Sequence, residues 1–157
     1  MAKVETERKG RSFIVTINRP EVRNCVDGET AGLLFDAVES FRRDESLDVL
    51  VLTGAGELAF CSGADLKNID SLVTRPGAEE SGPMGISRIT DISKATIAAI
   101  SGYCLAGGLE LACWCDFRIA AQCQLWCARP PLGRSSSRRG YPAPAQNRRT
   151  GQCAVSD

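Results

Sequence analysis

Leu47-Asp48-Val49-Leu50-Val51-Leu52-Thr53 is nearly continuously apolar, the pattern of a β-strand covered on both faces. Such a strand needs cover from the surrounding chain, and the preceding segment offers it. From Glu29 to Arg43, Leu33, Leu34, Ala37, Val38 and Phe41 recur at helical spacing, while Asp36, Glu39, Arg42 and Arg43 hold the opposite face. Upstream, Val4 to Lys9 and Ser12 to Ile17 flank Gly10 and read as a hairpin with Phe13, Val15 and Ile17 on one side. Downstream, Thr96 to Ile100 reads as another buried strand. Strands alternating with helices specify an α/β fold with crossover connections. Between them, Ala59 to Leu66 is a short apolar piece after a glycine turn, Ser71 to Gly85 reads as a mobile surface loop, and Ile86, Ile89 and Ile92 mark a short helix.

With 43% hydrophobic and 24% charged side chains in 157 residues, the chain is one globular domain or a piece of a larger one, not a disordered polymer. Nineteen basic and nineteen acidic residues cancel, so no overall field draws nucleic acid or an anionic membrane. MAKVETERKGRS has no signal-peptide character and no apolar run is long enough to span a bilayer, so the expected location is cytoplasmic. In that reducing setting the eight cysteines are expected as plain thiols. A zinc site through Cys113, Cys115, Cys123 and Cys127 is disfavoured, because Cys-x-Cys within a helical pattern aims its two sulfurs at different faces.

Two small-residue corners carry the chemistry. In Ser101–Asp116, SGYCLAGGLELACWCD, the pair Gly107-Gly108 precedes Glu110 on an apolar helix. The first amides of a helix have no internal partner and carry the positive end of its dipole, which makes the Gly107 amide an oxyanion donor. Ser62-Gly63-Ala64-Asp65 is the second corner. Were the Ala64 and Gly107 amides to face one site, they would grip a single carbonyl oxygen and favour an enolate. Glu110, expected to be buried and so raised in pKa, would exchange a proton with a nearby carbon. The plainer possibility is a tight helix entry with Glu110 as a capping acid. Gly54-Ala55-Gly56 after a strand suggests a dinucleotide site, yet no third glycine or helical apolar face follows.

On these residues the chain resembles the enoyl-CoA hydratase/isomerase, or crotonase, superfamily. The matching stretches are Ile17-Asn18-Arg19-Pro20 with Arg23-Asn24, Val51-Leu52-Thr53-Gly54 with Ala59-Phe60-Cys61-Ser62-Gly63-Ala64-Asp65-Leu66, Ser101-Gly102-Tyr103 with Ala106-Gly107-Gly108-Leu109-Glu110-Leu111-Ala112, and Cys115-Asp116. They occur in family order and reach from the N-terminus to Ala121. The resemblance implies a crotonase-like spiral of repeated ββα units, here truncated, and an acyl-CoA thioester substrate. It also implies homotrimers that pair into hexamers, with no cofactor beyond the CoA of the substrate. By position it makes Ala64 and Gly107 the oxyanion amides and Glu110 one of two catalytic glutamates. Val22 and the run Ala64, Asp65, Leu66 and Lys67 would line the thioester and CoA chain.

The second glutamate's position falls near Pro130, which has no proton to exchange. From Gln122 onward Arg, Pro, Ser and Gly dominate, as in a disordered partner-binding arm. With free choice of synonymous codons, however, Leu125 onward read one base later can encode Phe-Gly-Val-Leu-Gly-Arg-Arg-Trp-Gly-Val-Pro-Leu and a further run that resembles the family's own continuation. The expected organisation is therefore the N-terminal part of a crotonase-like domain over residues 1–121 and an out-of-frame, irregular tail over 122–157. The expected function is acyl-CoA chemistry through an oxyanion-stabilised enolate. Two alternatives stand beside it: an inactive truncated subunit that associates with full-length crotonase subunits, and a dinucleotide-binding module at Gly54 and Gly56.

Overall fold

The computed structural model describes residues 2–126, with side chains through residue 121. Pro130, Cys127 and the rest of residues 127–157 lie outside the described residues, as do the side chains of residues 122–126. The first hairpin forms as the alternation predicts: β1 (Val4–Lys9) and β2 (Ser12–Ile17) pair antiparallel, with Val4 opposite Ile17 and Lys9 opposite Ser12. Gly10 turns between them at φ +60°.

Helix α1 (Gly28–Arg43) starts where Asp27 caps it, accepting from the Thr30 amide at 2.9 Å. Its far end is closed by Lys94, whose ammonium donates to the carbonyls of Phe41 (2.8 Å), Arg42 (3.3 Å) and Asp44 (2.8 Å). Ala31, Leu34, Ala37, Val38 and Phe41 form the buried stripe. The helix carries the chain across to β3 (Val49–Gly54), parallel to β2. After β4 (Ala59–Cys61), β5 (Ala95–Leu105) pairs parallel with both β3 and β4. Helix α4 (Gly107–Trp114) returns the chain to β6 (Phe117–Trp126), parallel to β5 on its other edge. The main strand path is β1-β2-β3-β5-β4, with β6 added to β5.

Three expectations are corrected. Residues 71–85 are not one loop, for α2 (Ile69–Thr74) and α3 (Ala78–Ser81) lie there, with Leu72 and Ser81 buried. Their short, polar sequences give too few apolar positions to show a period. The isoleucines at 86, 89 and 92 form no helix. Gly82 and Gly85 take positive φ, and a Cβ on Gly85 would stand 2.2 Å from the Ala31 carbonyl oxygen, so this segment lies flat on α1 as an irregular strap. Ile86 and Ile89 anchor it.

β3, expected to be covered on both faces, is fully covered on one. Val15, Ile17, Leu50, Leu52, Ala98 and Ile100 are buried on that side. On the other, Ile14, Val51, Ile97 and Phe117 line up across four strands. The first three are half-buried, while Phe117 is 60% exposed and its neighbour Ile119 63% exposed. No helix among the described residues is long and apolar enough to cross a membrane.

Candidate active site

The two small-residue corners meet. β4 ends at Cys61 and the chain turns at Gly63, which takes φ +98°. A Cβ placed there would stand 3.1 Å from the Gly107 nitrogen and 3.2 Å from the Ala106 Cβ. The corner therefore abuts the start of α4.

The direction of each amide follows from its neighbours. The Val26 amide donates to the Gly63 carbonyl at 2.9 Å, and the Asp65 amide to the Val26 carbonyl at 2.8 Å. Gly63 C=O and Ala64 N–H share one planar peptide group and point opposite ways, so the Ala64 N–H is turned away from Val26. Likewise the Ala106 carbonyl accepts from the Leu109 (2.9 Å) and Glu110 (3.2 Å) amides inside α4. The Gly107 N–H in that same plane points out of the helix start. Ala106 itself sits at φ 47°, ψ −121°, a conformation that costs a non-glycine residue of order 1–3 kcal/mol. Gly108 lets α4 approach β4, for a Cβ there would be 2.1 Å from the Cys61 carbonyl oxygen.

Glu110 departs from expectation. It is exposed and makes no capping hydrogen bond, so the burial invoked for it is absent. Its sequence neighbours Leu111 and Ala112 turn into the core, and the helical rotation leaves Glu110 with Cys113 and Trp114 on the outer side. There it lines an open cavity of about 600 Å³ together with Ile89, Ile92 and Thr96.

The residues assigned by resemblance to the CoA chain are divided. Leu66 is 80% exposed and Lys67 is exposed, whereas Val22 is half-buried in the 3₁₀ turn Pro20–Val22. Asp65 faces inward: its carboxylate accepts from the Arg19 guanidinium (2.9 Å), the Lys67 amide (3.1 Å) and the Asn68 side chain (3.3 Å). The Arg19 hydrogen bond, foremost among these, holds its pKa below the usual carboxylate range. At Gly54-Ala55-Gly56 the chain runs on to β4 with no intervening helix, so the helix end that a dinucleotide phosphate requires is missing there.

Two residues of the matched motif, Arg19 and Asn24, organise this corner through partners both near and far along the chain. Asn24, fully buried at φ 55°, accepts from the Arg19 amide (3.0 Å) and donates to the carbonyls of Ala55 (3.0 Å) and Ala59 (2.7 Å). Arg19 donates to the Cys25 carbonyl at 2.7 Å and lies 3.4 Å from Asp27. Cys61 and Cys115 are buried thiols pushed up to about 12 by desolvation, while Cys113 is exposed. Among the described residues no three His, Cys, Asp or Glu side chains converge as metal ligands.

Asp27 makes this corner acid-sensitive. Burial works to raise its pKa. The Lys3 hydrogen bond, the Thr30 amide and hydroxyl, and the Arg19 charge together outweigh it, lowering the group to about 2. The folded pKa thus lies below the unfolded one, so the stabilisation is complete above about pH 4 and is lost as pH falls toward 2, a loss of about 2 kcal/mol. Urea unfolding across that window should show the decline, and Asp27→Asn should flatten this part of it.

Comparison with known proteins extends over the same region. The enoyl-CoA hydratase/isomerase family model matches residues 7–130. A crotonyl-CoA hydratase of Syntrophomonas wolfei is 36% identical over 118 residues, covering 73% of this chain and 45% of that protein. The crystal structure of an enoyl-CoA hydratase from Mycobacterium marinum superposes with a TM-score of 0.70 at 38% identity, over 78% of this chain and 47% of the other. That of a carnitinyl-CoA hydratase from Mycobacterium avium gives 0.74 at 38% identity, over 80% and 49%. The chain spans about half the length of these relatives.

Proposed function

The chain belongs to the enoyl-CoA hydratase/isomerase family, and from that premise we propose that it acts on an acyl-CoA thioester through a stabilised enolate. The observation that carries this is the contact between the Gly63 corner and the start of α4. It brings the two corners together and leaves the Ala64 and Gly107 N–H groups turned away from the hydrogen bonds that their own peptide carbonyls make. A thioester oxygen held by both donors takes up negative charge as the bond order shifts, and loss of one such donor typically costs about 2.7–4 kcal/mol of barrier lowering. Glu110, in the open cavity one helical turn on, exchanges the proton at the neighbouring carbon. In hydration, water adds its oxygen to the β-carbon and a proton reaches the α-carbon. In isomerisation, a proton leaves the α-carbon and another is returned to the γ-carbon.

Ultraviolet absorbance of the conjugated enoyl thioester tests both. Hydration of crotonyl-CoA lowers the signal, while conversion of but-3-enoyl-CoA to crotonyl-CoA raises it. Silence with both substrates overturns the proposal.

A second reading, an inactive partial subunit that associates with full-length family members, is favoured by the exposed Phe117 and Ile119 on the open sheet face. Co-elution with a full-length subunit, together with that silence, would support it.

A further inference from the structure

Arg19 belongs to a matched motif, yet the chemistry above makes no use of it. It is 8% exposed, and its guanidinium is divided between two tasks. One terminal nitrogen donates to the Cys25 carbonyl at 2.7 Å, and the other to Asp65 at 2.9 Å. The Cys25 carbonyl shares its peptide plane with the Val26 N–H, which donates to the Gly63 carbonyl at 2.9 Å. The Gly63 carbonyl in turn shares its plane with the Ala64 N–H. Two rigid peptide groups therefore run in line from a buried positive charge to the Ala64 amide.

Each link acts in the same sense. A cation drawing on one carbonyl makes the N–H across that peptide a better donor, which draws on the next carbonyl, and hydrogen bonds in series polarise one another. Through Asp65, whose amide donates to the Val26 carbonyl at 2.8 Å, the same guanidinium also steadies the far side of Ala64. Lysine could not reproduce this, since one ammonium lacks the planar fork that serves both acceptors.

We infer that Arg19 is a positioning residue for the Ala64 amide, setting the direction and donor strength of that N–H through the Cys25–Val26 and Gly63–Ala64 peptides. The identity of the oxygen it serves rests on the proposed acyl-CoA reading. If Arg19 only neutralised Asp27 and Asp65, its replacement would leave the Ala64 amide unchanged.

The test uses the ¹⁵N-labelled full chain, alone and with butyryl-CoA, a saturated thioester that offers the carbonyl but has no double bond to hydrate. In ligand-free Arg19→Met, the Val26 and Ala64 amide protons should move upfield while Gly107 stays in place. Added butyryl-CoA should then shift Ala64 less than in the parent, by about 10–30% for each hydrogen bond removed from the series, with the Gly107 response retained. Arg19→Lys, which keeps the charge and one donor, should fall between the two and serves where the methionine variant does not fold. Val26 and Ala64 signals that stay put, or that move together with signals across the whole sheet, overturn the inference. If butyryl-CoA moves neither Ala64 nor Gly107 in the parent, the acyl-CoA reading fails instead, and the ligand-free comparison still decides the role of Arg19.

Discussion

Glutamine in place of Glu110 is expected to slow consumption of the enoyl thioester by about 10²- to 10⁴-fold, the range over which a positioned proton donor or acceptor typically contributes. The substitution removes the ionisable proton and keeps the volume. Glu110 is exposed and makes no capping bond, so its charge supports α4 only through its attraction to the helix start, about 0.3–1 kcal/mol. The unfolding midpoint should therefore stay close to that of the parent while the absorbance change is lost, which separates chemistry from stability. A variant that keeps the parent's rate would remove Glu110 from the mechanism and leave the two amides as the whole of the site.

Alanine at position 108 should have a comparably large effect, acting on the fold. In an open helix, Gly→Ala stabilises by about 1 kcal/mol, because alanine has less backbone freedom to lose. Position 32 in α1 meets that condition, its nearest foreign atom being 3.9 Å from an added Cβ, and Gly32→Ala should raise the urea midpoint. At 108 the sign reverses. The added carbon would lie 2.1 Å from the Cys61 carbonyl oxygen and 2.7 Å from its carbon, and this is buried backbone with nowhere to retreat. Helix α4 has to lift from β4, at a cost of about 3 kcal/mol or more. Lifting α4 also carries the Gly107 amide away from the Gly63 corner, so loss of function should accompany loss of stability. An unchanged midpoint would overturn the close packing of α4 on β4.

Elements whose burial has a period were legible. The hairpin follows from alternation, α1 from the Leu34–Val38–Phe41 stripe, and β3 and β5 from apolar runs, although β5 continues past the expected Ile100 to Leu105. Spacing by three at Ile86 and Ile89 suggests a helix, yet it arises equally when an irregular segment sends down anchors past glycines. Glu110 was placed among its neighbours in sequence, whereas helical rotation places it away from them. The corners at Ala64 and Gly107 were visible as small-residue runs. The Arg19 and Asn24 networks that hold one corner in place were not, since Arg19 and Asp65 are 46 positions apart and no local pattern links them. A motif match could flag Arg19, and only the fold shows what it grips.

The strand order has a consequence for how the molecule is made. β1, β2, β3, β5 and β6 lie side by side in the order in which they leave the ribosome. Each of β2, β3, β5 and β6, on emerging, finds a docking edge already built, and β5 meets both β3 and the short β4. Only β4, three residues long, is synthesised before the strand that receives it. Assembly is thus vectorial, with the sheet growing at the newest strand while, among the described residues, the outer edge of β1 stays open from the start.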